Sequence, residues 1–307
     1  MIAPAGEPVI VPVDRSALEE LHAVAAASLS LDRFSRSLLE RKLFENPRPA
    51  REQYAVYAAR QSGELVGFMQ SVVRPDAARA WMGMFAVAPP QRRRGVATAL
   101  YQAVRRHWEQ AGAKEAEVLA IPGNYFNPGV DPRYTPALCF VEHLGFERFK
   151  DCANMIAHLR DRADTRAEEQ ALAERGVEIR LAAHDDARRL DAFFEQDFGA
   201  DWRMEAGLAM QSDPPTIHLA MRDGRIIAFS AHSTQNQEWG FFGPMGTTPA
   251  CRGLGIGRIL LLRCLNDLRD AGHRTAVIPW VGPIGFYSRY CDGAVERVFW
   301  RYRRTQL

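Results

Sequence analysis

A chain of 307 residues exceeds the usual size of one domain and predicts two compact units, each large enough to bury a core of its own. Hydrophobic residues make up 47% of the sequence and charged residues 25%, a balance typical of soluble globular proteins. The formal net charge of +2 gives no general reason to expect binding to nucleic acid or to an acidic membrane surface.

The cysteines and the first residues indicate the cellular setting. Five cysteines are scattered without a Cys-x-x-Cys pair, which predicts reduced thiols and no metal site. The segment Met1 to Pro4 has no basic region followed by an apolar core, and no apolar run approaches the length of a membrane span. We therefore expect a cytoplasmic protein with no membrane partner.

The first part of the chain alternates strand and helix patterns. Apolar residues at helical spacing predict helices from Ser16 to Leu29 and from Arg33 to Leu43. A hairpin turn is predicted at Gln61 to Glu64, between two runs of strand-forming residues. The predicted strands are Val9 to Val13, Tyr54 to Arg60, Leu65 to Val73 and Ala80 to Val87.

Two stretches share the order strand, loop, helix. The strand Ala80 to Val87 leads into the loop Gln91 to Ala97, and apolar residues at helical spacing follow as far as Trp108. Later, an apolar run from Trp239 to Thr247 leads into the loop Arg252 to Gly257, which opens another apolar-periodic segment. The recurrence of this order calls for a test of whether the chain contains an internal repeat.

A constant offset relates the two stretches. An offset of 160 converts Gly83, Pro89, Arg92, Gly95, Ala97 and Gly112 into Gly243, Pro249, Arg252, Gly255, Gly257 and Gly272. Upstream, an offset of 161 relates Gly63 and Phe68 to Gly224 and Phe229. A fixed offset across a strand, a loop and a whole helix predicts two copies of one fold.

The loop Arg252 to Gly257 is typical of a phosphate site. Glycines let the backbone approach a ligand closely, and the first turn of a helix presents N–H groups without partners. A Walker loop would continue with Lys and Ser or Thr, whereas Gly257 is followed by Arg258 and Ile259. A dinucleotide fingerprint would need a glycine at position 258. On the motif alone, a glycine-rich helix entry without a ligand stays an alternative.

The remaining pattern, Arg-x-x-Gly-x-Gly, resembles the acetyl-CoA loop of the GCN5-related N-acetyltransferase (GNAT) family. The resemblance covers roughly Val9 to Leu159 and Val177 to Arg303. It implies two tandem α/β (α+β) folds, each a mixed, mainly antiparallel sheet flanked by helices and split by a V-shaped opening between its fourth and fifth strands. The implied domains are residues 1–159 and 177–307, joined by a charged linker at 160–176, in a monomer with an internal pseudo-dimer or in a homodimer.

The resemblance also implies the donor and the residues that bind it. Acetyl-CoA would be the co-substrate, with no metal. Its pyrophosphate would lie on backbone N–H groups of the loop, and its pantetheine arm would lie along the preceding strand. The residues so assigned are Met245, Gly246, Thr247, Arg252, Gly253, Leu254, Gly255, Ile256, Gly257 and Arg258 in the second copy, and Phe85, Ala86, Val87, Arg92, Arg93, Arg94, Gly95, Val96 and Ala97 in the first.

The last helix of each copy distinguishes the two copies. In this family a tyrosine near that position commonly protonates the departing CoA sulfur. The second copy has Tyr287 after Phe286, whereas the first has Val141 after Phe140, and a valine has no proton to give. The second copy is therefore the better candidate for chemistry, while the first binds acetyl-CoA or is structural.

Other residues complete the predicted reaction, which is direct attack of an amine on acetyl-CoA. The backbone N–H of Met245 would polarise the thioester, and Glu238 would accept the proton of the amine, although an ordinary surface glutamate remains the competing interpretation. Acidic residues at Asp197, Asp201 and Glu205 would select a cationic amine, or would cap helices. The expected acceptor is a small-molecule amine or a peptide amine.

The first copy is longer than the second by an insertion. Phe140 lies 18 positions after Pro122 and Phe286 lies 7 positions after Pro279, and the extra residues fall in the aromatic, turn-rich segment 123–134. This segment would be a substrate lid, or an interface that plugs the neighbouring lobe. In both copies a short strand is predicted to end in Ile-Pro, and the last helices are predicted at Pro136 to Leu144 and Gly285 to Tyr290.

Two other functions fit the same motifs. A non-catalytic acyl-CoA sensor would keep both loops and lose the proton donor, which Tyr287 argues against in the second copy. A pseudo-dimeric scaffold would retain the loops only as relics.

Overall fold

The computed structural model describes residues 7–307, which form twelve strands and nine α-helices. The strands are β1 (Val9–Val13), β2 (Gln53–Gln61), β3 (Glu64–Arg74), β4 (Arg79–Val87), β5 (Glu115–Val118), β6 (Glu147–His158), β7 (Val177–Leu181), β8 (Ile217–Arg222), β9 (Arg225–His232), β10 (Phe242–Thr247), β11 (Thr275–Ile278) and β12 (Ala294–Arg304). The helices are α1 (Leu18–Ser28), α2 (Arg36–Phe44), α3 (Val96–Gln110), α4 (Thr135–His143), α5 (Arg166–Ala173), α6 (Ala187–Asp197), α7 (Ala200–Met210), α8 (Ile256–Asp270) and α9 (Ile284–Cys291).

The chain divides into two compact units whose limits do not follow the repeat. Unit 1 extends to Cys152 and also includes Phe299–Leu307, and unit 2 is Ala153–Val298. Strands β6 and β12 therefore each contribute to both units. That residues 1–159 and 177–307 are separate domains stays a prediction.

In unit 1 the strand order is β1-β2-β3-β4-β5-β12-β6. Strands β4 and β5 pair in parallel only from Arg79 to Met82, and the rest of β4 continues without β5. On the other side of β5, β12 pairs antiparallel through Arg303 and Arg304. Helix α3 packs on this sheet and buries an apolar stripe at helical spacing, which includes Leu100, Val104 and Trp108.

Unit 2 repeats this plan with the antiparallel order β10-β9-β8-β7. A single parallel bridge, Phe241 to Val277, joins β11 to the start of β10, after which the two strands separate. On its other side, β11 pairs antiparallel with Met155–His158 of β6. Both units thus have the V-shaped opening beside the fourth strand of the copy.

The predicted repeat is confirmed in the helices that follow these strands. Helices α3 and α8 each have 15 residues and begin 160 residues apart, at Val96 and Ile256. One predicted boundary is wrong, because β5 ends at Val118 rather than at the Ile-Pro pair. Leu119 and Ala120 have φ values of +57° and +52°, which turn the chain out of the extended conformation.

The charged linker contains a helix that is attached to unit 2. Leu172 of α5 is buried against a cluster that includes Ile256 and Leu260 of α8. Arg263 of α8 makes a bidentate ion pair with Glu169, with N···O distances of 2.6 and 2.8 Å. The linker helix is therefore a packed part of unit 2.

Within residues 7–307 no helix combines the length and the apolar character needed to cross a membrane. In the same part of the chain no group of three His, Cys, Asp or Glu side chains is placed to hold a metal ion.

Candidate functional site

The two glycine loops, loop 1 (Arg92–Ala97) and loop 2 (Arg252–Gly257), share one backbone conformation. Gly95 and Gly255 cap the helices with φ values of +79° and +82°. Before them, Gly253 has φ +82°, and its counterpart Arg93 holds φ +63° despite its side chain. A Cβ atom added at Gly95, Gly253 or Gly255 would meet nothing within 4 Å, so these glycines serve the conformation and leave open space above the helix N-terminus.

The arginines of the loops are used in different ways. Arg92 and Arg252 each donate from Nε to the carbonyl of the last strand residue, Val87 at 3.2 Å and Thr247 at 3.4 Å. Arg258 instead donates to the Glu168 carboxylate at 2.5 Å. The first pair therefore ties each loop to its strand, and Arg258 joins α8 to the linker helix. That these groups also assist a pyrophosphate stays a prediction.

Strands β4 and β10 carry equivalent bulges. In unit 1 the pair Met69–Phe85 is followed by Ser71–Met82, so one residue of β4 is extra. In unit 2 the pair Ser230–Met245 is followed by His232–Phe242. We name these segments bulge 1 (Met82–Phe85) and bulge 2 (Phe242–Met245). A bulge removes backbone groups from the ladder and redirects them.

In unit 1 a long polar side chain fills the space behind the bulge. The Gln70 side chain accepts from the Met84 N–H at 3.2 Å and donates to the Lys42 carbonyl at 2.7 Å. A Cβ atom on Gly83 would overlap this amide. In unit 2 the corresponding residues are Ala231, which is fully buried, and Pro244, which has no N–H to satisfy.

The predicted proton donor lies in the core beneath α9. Tyr287 is 6% exposed, and its ring contacts Phe242 and Phe286 with centroid distances of 5.9 and 5.2 Å. Burial raises the pKa of Tyr287, with the neighbouring Cys291 and Cys264 thiols adding to the shift, so the phenol keeps its proton at neutral pH. Val141 occupies the equivalent position in unit 1 and is fully buried.

The strand and the last helix meet across the start of α8. A Cβ atom on Gly257 would lie 3.5 Å from the Met245 side chain and 3.6 Å from that of Phe286. Met245 and Phe286 are half-buried. Unit 1 has the matching contact between Phe85 and Phe140, whose ring centroids are 6.1 Å apart. The bulge and the last helix therefore meet in both units, and in unit 2 they meet at the loop.

The segment inserted in unit 1 is packed rather than free. Residues 123–131 are all buried. The Asn124 amide donates to the Glu45 carbonyl at 3.0 Å, and the Phe126 ring lies edge-on to Phe34 at 5.6 Å. Tyr134 donates to Asp32 at 2.6 Å. These contacts attach the segment to the residues around α2 within unit 1, and its role as a lid or as a plug of the neighbouring lobe stays a prediction.

Two of the acidic residues predicted in unit 2, Asp197 and Asp201, adjoin in sequence an aromatic pair that packs against β10. Phe198 and Trp202 stack with centroids 5.1 Å apart, and a Cβ atom on Gly246 would overlap Phe198. Glu238 is exposed, on the short 3-10 helix before β10. Asp197 and Asp201 are exposed, and Glu205 is half-buried.

One polar cluster was not predicted from the sequence. Asp267 of α8 lies 2.6 Å from His218 Nε2 and 3.4 Å from His232 Nε2, and both histidines are buried. Burial by itself would raise the pKa of Asp267, but hydrogen bonds and charge from the two imidazoles hold that pKa well below its ordinary value. The spacing of His218 and Asp267 along the chain gave no signal of this contact.

Comparisons with known proteins agree with this geometry. The sequence profile of the Acetyltransferase (GNAT) family matches residues 19–126 and 187–291. A mycothiol acetyltransferase from Thermomonospora curvata is 29% identical over 222 residues, which cover 69% of this chain and 68% of that protein.

Several solved structures match nearly the whole length of this chain. A GCN5-related glucosamine N-acetyltransferase region of a fungal multi-domain GH3 β-N-acetylglucosaminidase matches with a TM-score of 0.82 and 18% identity, over 99% of this chain and only 38% of that longer chain. A GCN5-related N-acetyltransferase from Sphaerobacter thermophilus gives 0.74 and 16% over 98% and 96% of the two chains. A tandem GNAT protein from the clavulanic acid biosynthesis pathway gives 0.71 and 16% over 97% and 98%. At these identities the matches show the fold.

Proposed function

Since the chain belongs to the Acetyltransferase (GNAT) family, we propose that unit 2 carries the acetyl transfer and that unit 1 binds acetyl-CoA or is structural. Family membership makes the chain an N-acetyltransferase, and enzymes of this family use acetyl-CoA as co-substrate and amines as acceptors. The observation that carries the proposal is the buried phenol of Tyr287, because the equivalent side chain in unit 1 is Val141.

The fit of acetyl-CoA to unit 2 rests on loop 2. Open space lies above Gly253 and Gly255, and the first turn of α8 presents backbone N–H groups beside the positive end of the helix dipole. This arrangement suits a pyrophosphate. The pantetheine arm would follow β10 past bulge 2, beside Met245, Gly246 and Thr247.

The proposed reaction proceeds without a covalent enzyme intermediate. The amine nitrogen attacks the thioester carbonyl carbon, a C–N bond forms, and the C–S bond breaks. Tyr287 gives its proton to the departing sulfur, and Glu238 accepts the proton that the amine loses. The backbone N–H of Met245 would stabilise the oxyanion, and removing a donor of this kind costs about 3 kcal/mol in other enzymes.

Two features of unit 1 support a role other than chemistry. The Gln70 amide occupies the space behind bulge 1, where unit 2 has Ala231. The inserted segment 123–131 is buried. Loop 1 nevertheless keeps its backbone conformation and carries exposed Arg93 and Arg94, so unit 1 retains the means to bind acetyl-CoA.

For the acceptor we propose a primary amine. Since one relative is a mycothiol acetyltransferase, thiol-containing amines come first in a panel that also includes amino sugars, amino acids and peptide N-termini. Asp197 and Asp201, exposed at the end of α6 and the start of α7, would favour a cationic amine.

The test is CoA release from acetyl-CoA across this panel, for the wild type and for Tyr287→Phe. We expect kcat to fall about 100-fold, because a general acid contributes about that much, while KM for acetyl-CoA stays within twofold. Tyr302→Phe removes another buried phenol, in unit 1, and is expected to leave kcat unchanged. Full activity of Tyr287→Phe would contradict the assignment of the reaction to this phenol.

A further inference from the structure

Unit 2 has a cationic corner beside loop 2, formed by Arg258 of α8 and Arg289 and Tyr290 of α9. The Arg258 guanidinium carbon lies 6.0 Å from the Tyr290 ring centroid, and that of Arg289 lies 5.4 Å from it. Phe286 contacts the same ring at 5.0 Å, and Phe286 also borders Gly257. The corner is therefore continuous with the site that the loop and the last helix form.

The two guanidinium groups differ in how their charge is balanced. Arg258 is paired with Glu168 of the linker helix at 2.5 Å. Arg289 is exposed, and within residues 7–307 no ion pair or hydrogen bond joins its guanidinium to another residue. The aromatic ring holds this cation close to the loop while its charge remains available to an anion.

Unit 1 has no such corner. The residues equivalent to Arg258, Arg289 and Tyr290 are Thr98, His143 and Leu144. Unit 1 instead has its extra positive charges inside the loop, at Arg93 and Arg94, where unit 2 has Gly253 and Leu254. The additional arginines therefore lie in the loop in unit 1 and on the neighbouring helices in unit 2.

We propose that Arg289, with Arg258, binds the 3′-phosphate of CoA in unit 2, and that Tyr290 positions the two guanidinium groups. This inference rests on the proposal that unit 2 takes acetyl-CoA. CoA has two separate anionic groups, a pyrophosphate and a phosphomonoester on the ribose. Loop N–H groups suit the first, which leaves cations beyond the loop for the second, and guanidinium groups match phosphate geometry.

The test compares CoA with 3′-dephospho-CoA, which lacks only the phosphomonoester. Calorimetric titration of the full chain with each ligand gives a binding preference, defined as the Kd of dephospho-CoA divided by the Kd of CoA. Binding to unit 2 is identified as the part of the isotherm that Gly255→Ala weakens. Arg289→Gln is expected to lower this preference about fivefold, the usual upper size of an exposed ion pair. His143→Gln, at the equivalent position of unit 1, should leave it unchanged.

Tyr290 has its own signature. Tyr290→Leu, which introduces the residue of unit 1, should lower the binding preference as Arg289→Gln does. Tyr290→Phe keeps the aromatic ring and should keep the wild-type preference. Equal weakening of both ligands by Arg289→Gln would assign the cation to the pyrophosphate and overturn the proposal. An unchanged preference in Arg289→Gln would overturn it as well.

Kinetics separate this proposal from the one it rests on. In Arg289→Gln the KM for acetyl-CoA should rise relative to that for acetyl-3′-dephospho-CoA, with kcat unchanged. If Tyr287→Phe keeps full activity while Arg289→Gln still changes the binding preference, unit 2 binds CoA and the Tyr287 phenol is not the proton donor. In that case only the assignment of chemistry fails.

Discussion

Loops 1 and 2 share a backbone, whereas the strands that precede them differ behind the bulge. In unit 1, Gln70 satisfies the Met84 N–H and fills the space beside Gly83. In unit 2, Pro244 has no N–H and Ala231 leaves that space without a long side chain. Both solutions avoid an unsatisfied buried donor, but only the first places a long polar side chain against the bulge. The two units therefore agree in the backbone of the glycine loop and differ in the side chains behind the bulge.

The two units also differ on the opposite face of their sheets. Ser71 and His107 of unit 1, which are 2.8 Å apart, correspond in position to His232 and Asp267 of unit 2. A neutral hydrogen bond in one unit is replaced in the other by a carboxylate between two imidazoles. At this position, therefore, the helix and sheet of unit 2 are joined by charged groups, whereas those of unit 1 are joined by an uncharged hydrogen bond.

The largest expected effect tests whether unit 1 depends on the end of the chain. Tyr302 is 1% exposed, lies in the core of unit 1 and donates to Glu142 at 2.6 Å. Tyr302→Ala should lower the free energy of unfolding by about 4 kcal/mol, as large aromatic truncations do. Urea denaturation measures this loss, and Tyr302→Phe, which keeps the ring, should lose only about 1 kcal/mol. Equal losses would show that packing of this ring is unimportant.

The next effect compares the two loops directly. Gly255→Ala and Gly95→Ala both place a side chain at a φ near +80°, so each variant should lose about 1 kcal/mol of stability. If unit 2 carries the reaction, kcat/KM for acetyl-CoA should fall about 100-fold in Gly255→Ala, because a displaced pyrophosphate misaligns the thioester. It should fall less than twofold in Gly95→Ala. The reverse result would place the reaction in unit 1.

The sequence predicted those elements whose signals are local. Glycines at fixed spacing and a helical apolar stripe identified loop 2 and α8, and the offset of 160 identified their counterparts. The contribution of Phe299–Leu307 to unit 1 was not predictable, because pairing between distant strands leaves no mark in either segment. Likewise, Gln70 acquires its function only from a bulge, and bulge positions depend on strand register. The pairing of Arg258 with Glu168 required the position of the linker helix.

A third prediction concerns the charged cluster of unit 2. A carboxyl group whose folded-state pKa is lowered stabilises the fold at pH values above its unfolded pKa, about 3.9, and this contribution is lost as the pH falls through the folded value. Asp267→Asn should therefore cost about 1.5 kcal/mol at pH 7, after allowance for partial exposure, and progressively less below pH 4. Urea denaturation across this range measures the difference. Asp270→Asn, at an exposed position of the same helix, should cost less than about 0.5 kcal/mol at either pH.

The smallest effect tests the filled bulge itself. Gln70→Ala leaves the buried Met84 N–H without its acceptor, which should lower the stability of unit 1 by about 1 kcal/mol. Because unit 1 is not expected to carry the reaction, kcat should stay within twofold of the wild type. The reciprocal change Ala231→Gln should instead lower kcat, since a long amide behind bulge 2 would occupy the space beside Gly243 and Pro244. If Gln70→Ala raised kcat severalfold, the amide would be a block on a competent site, and the two units would differ in access rather than in chemistry.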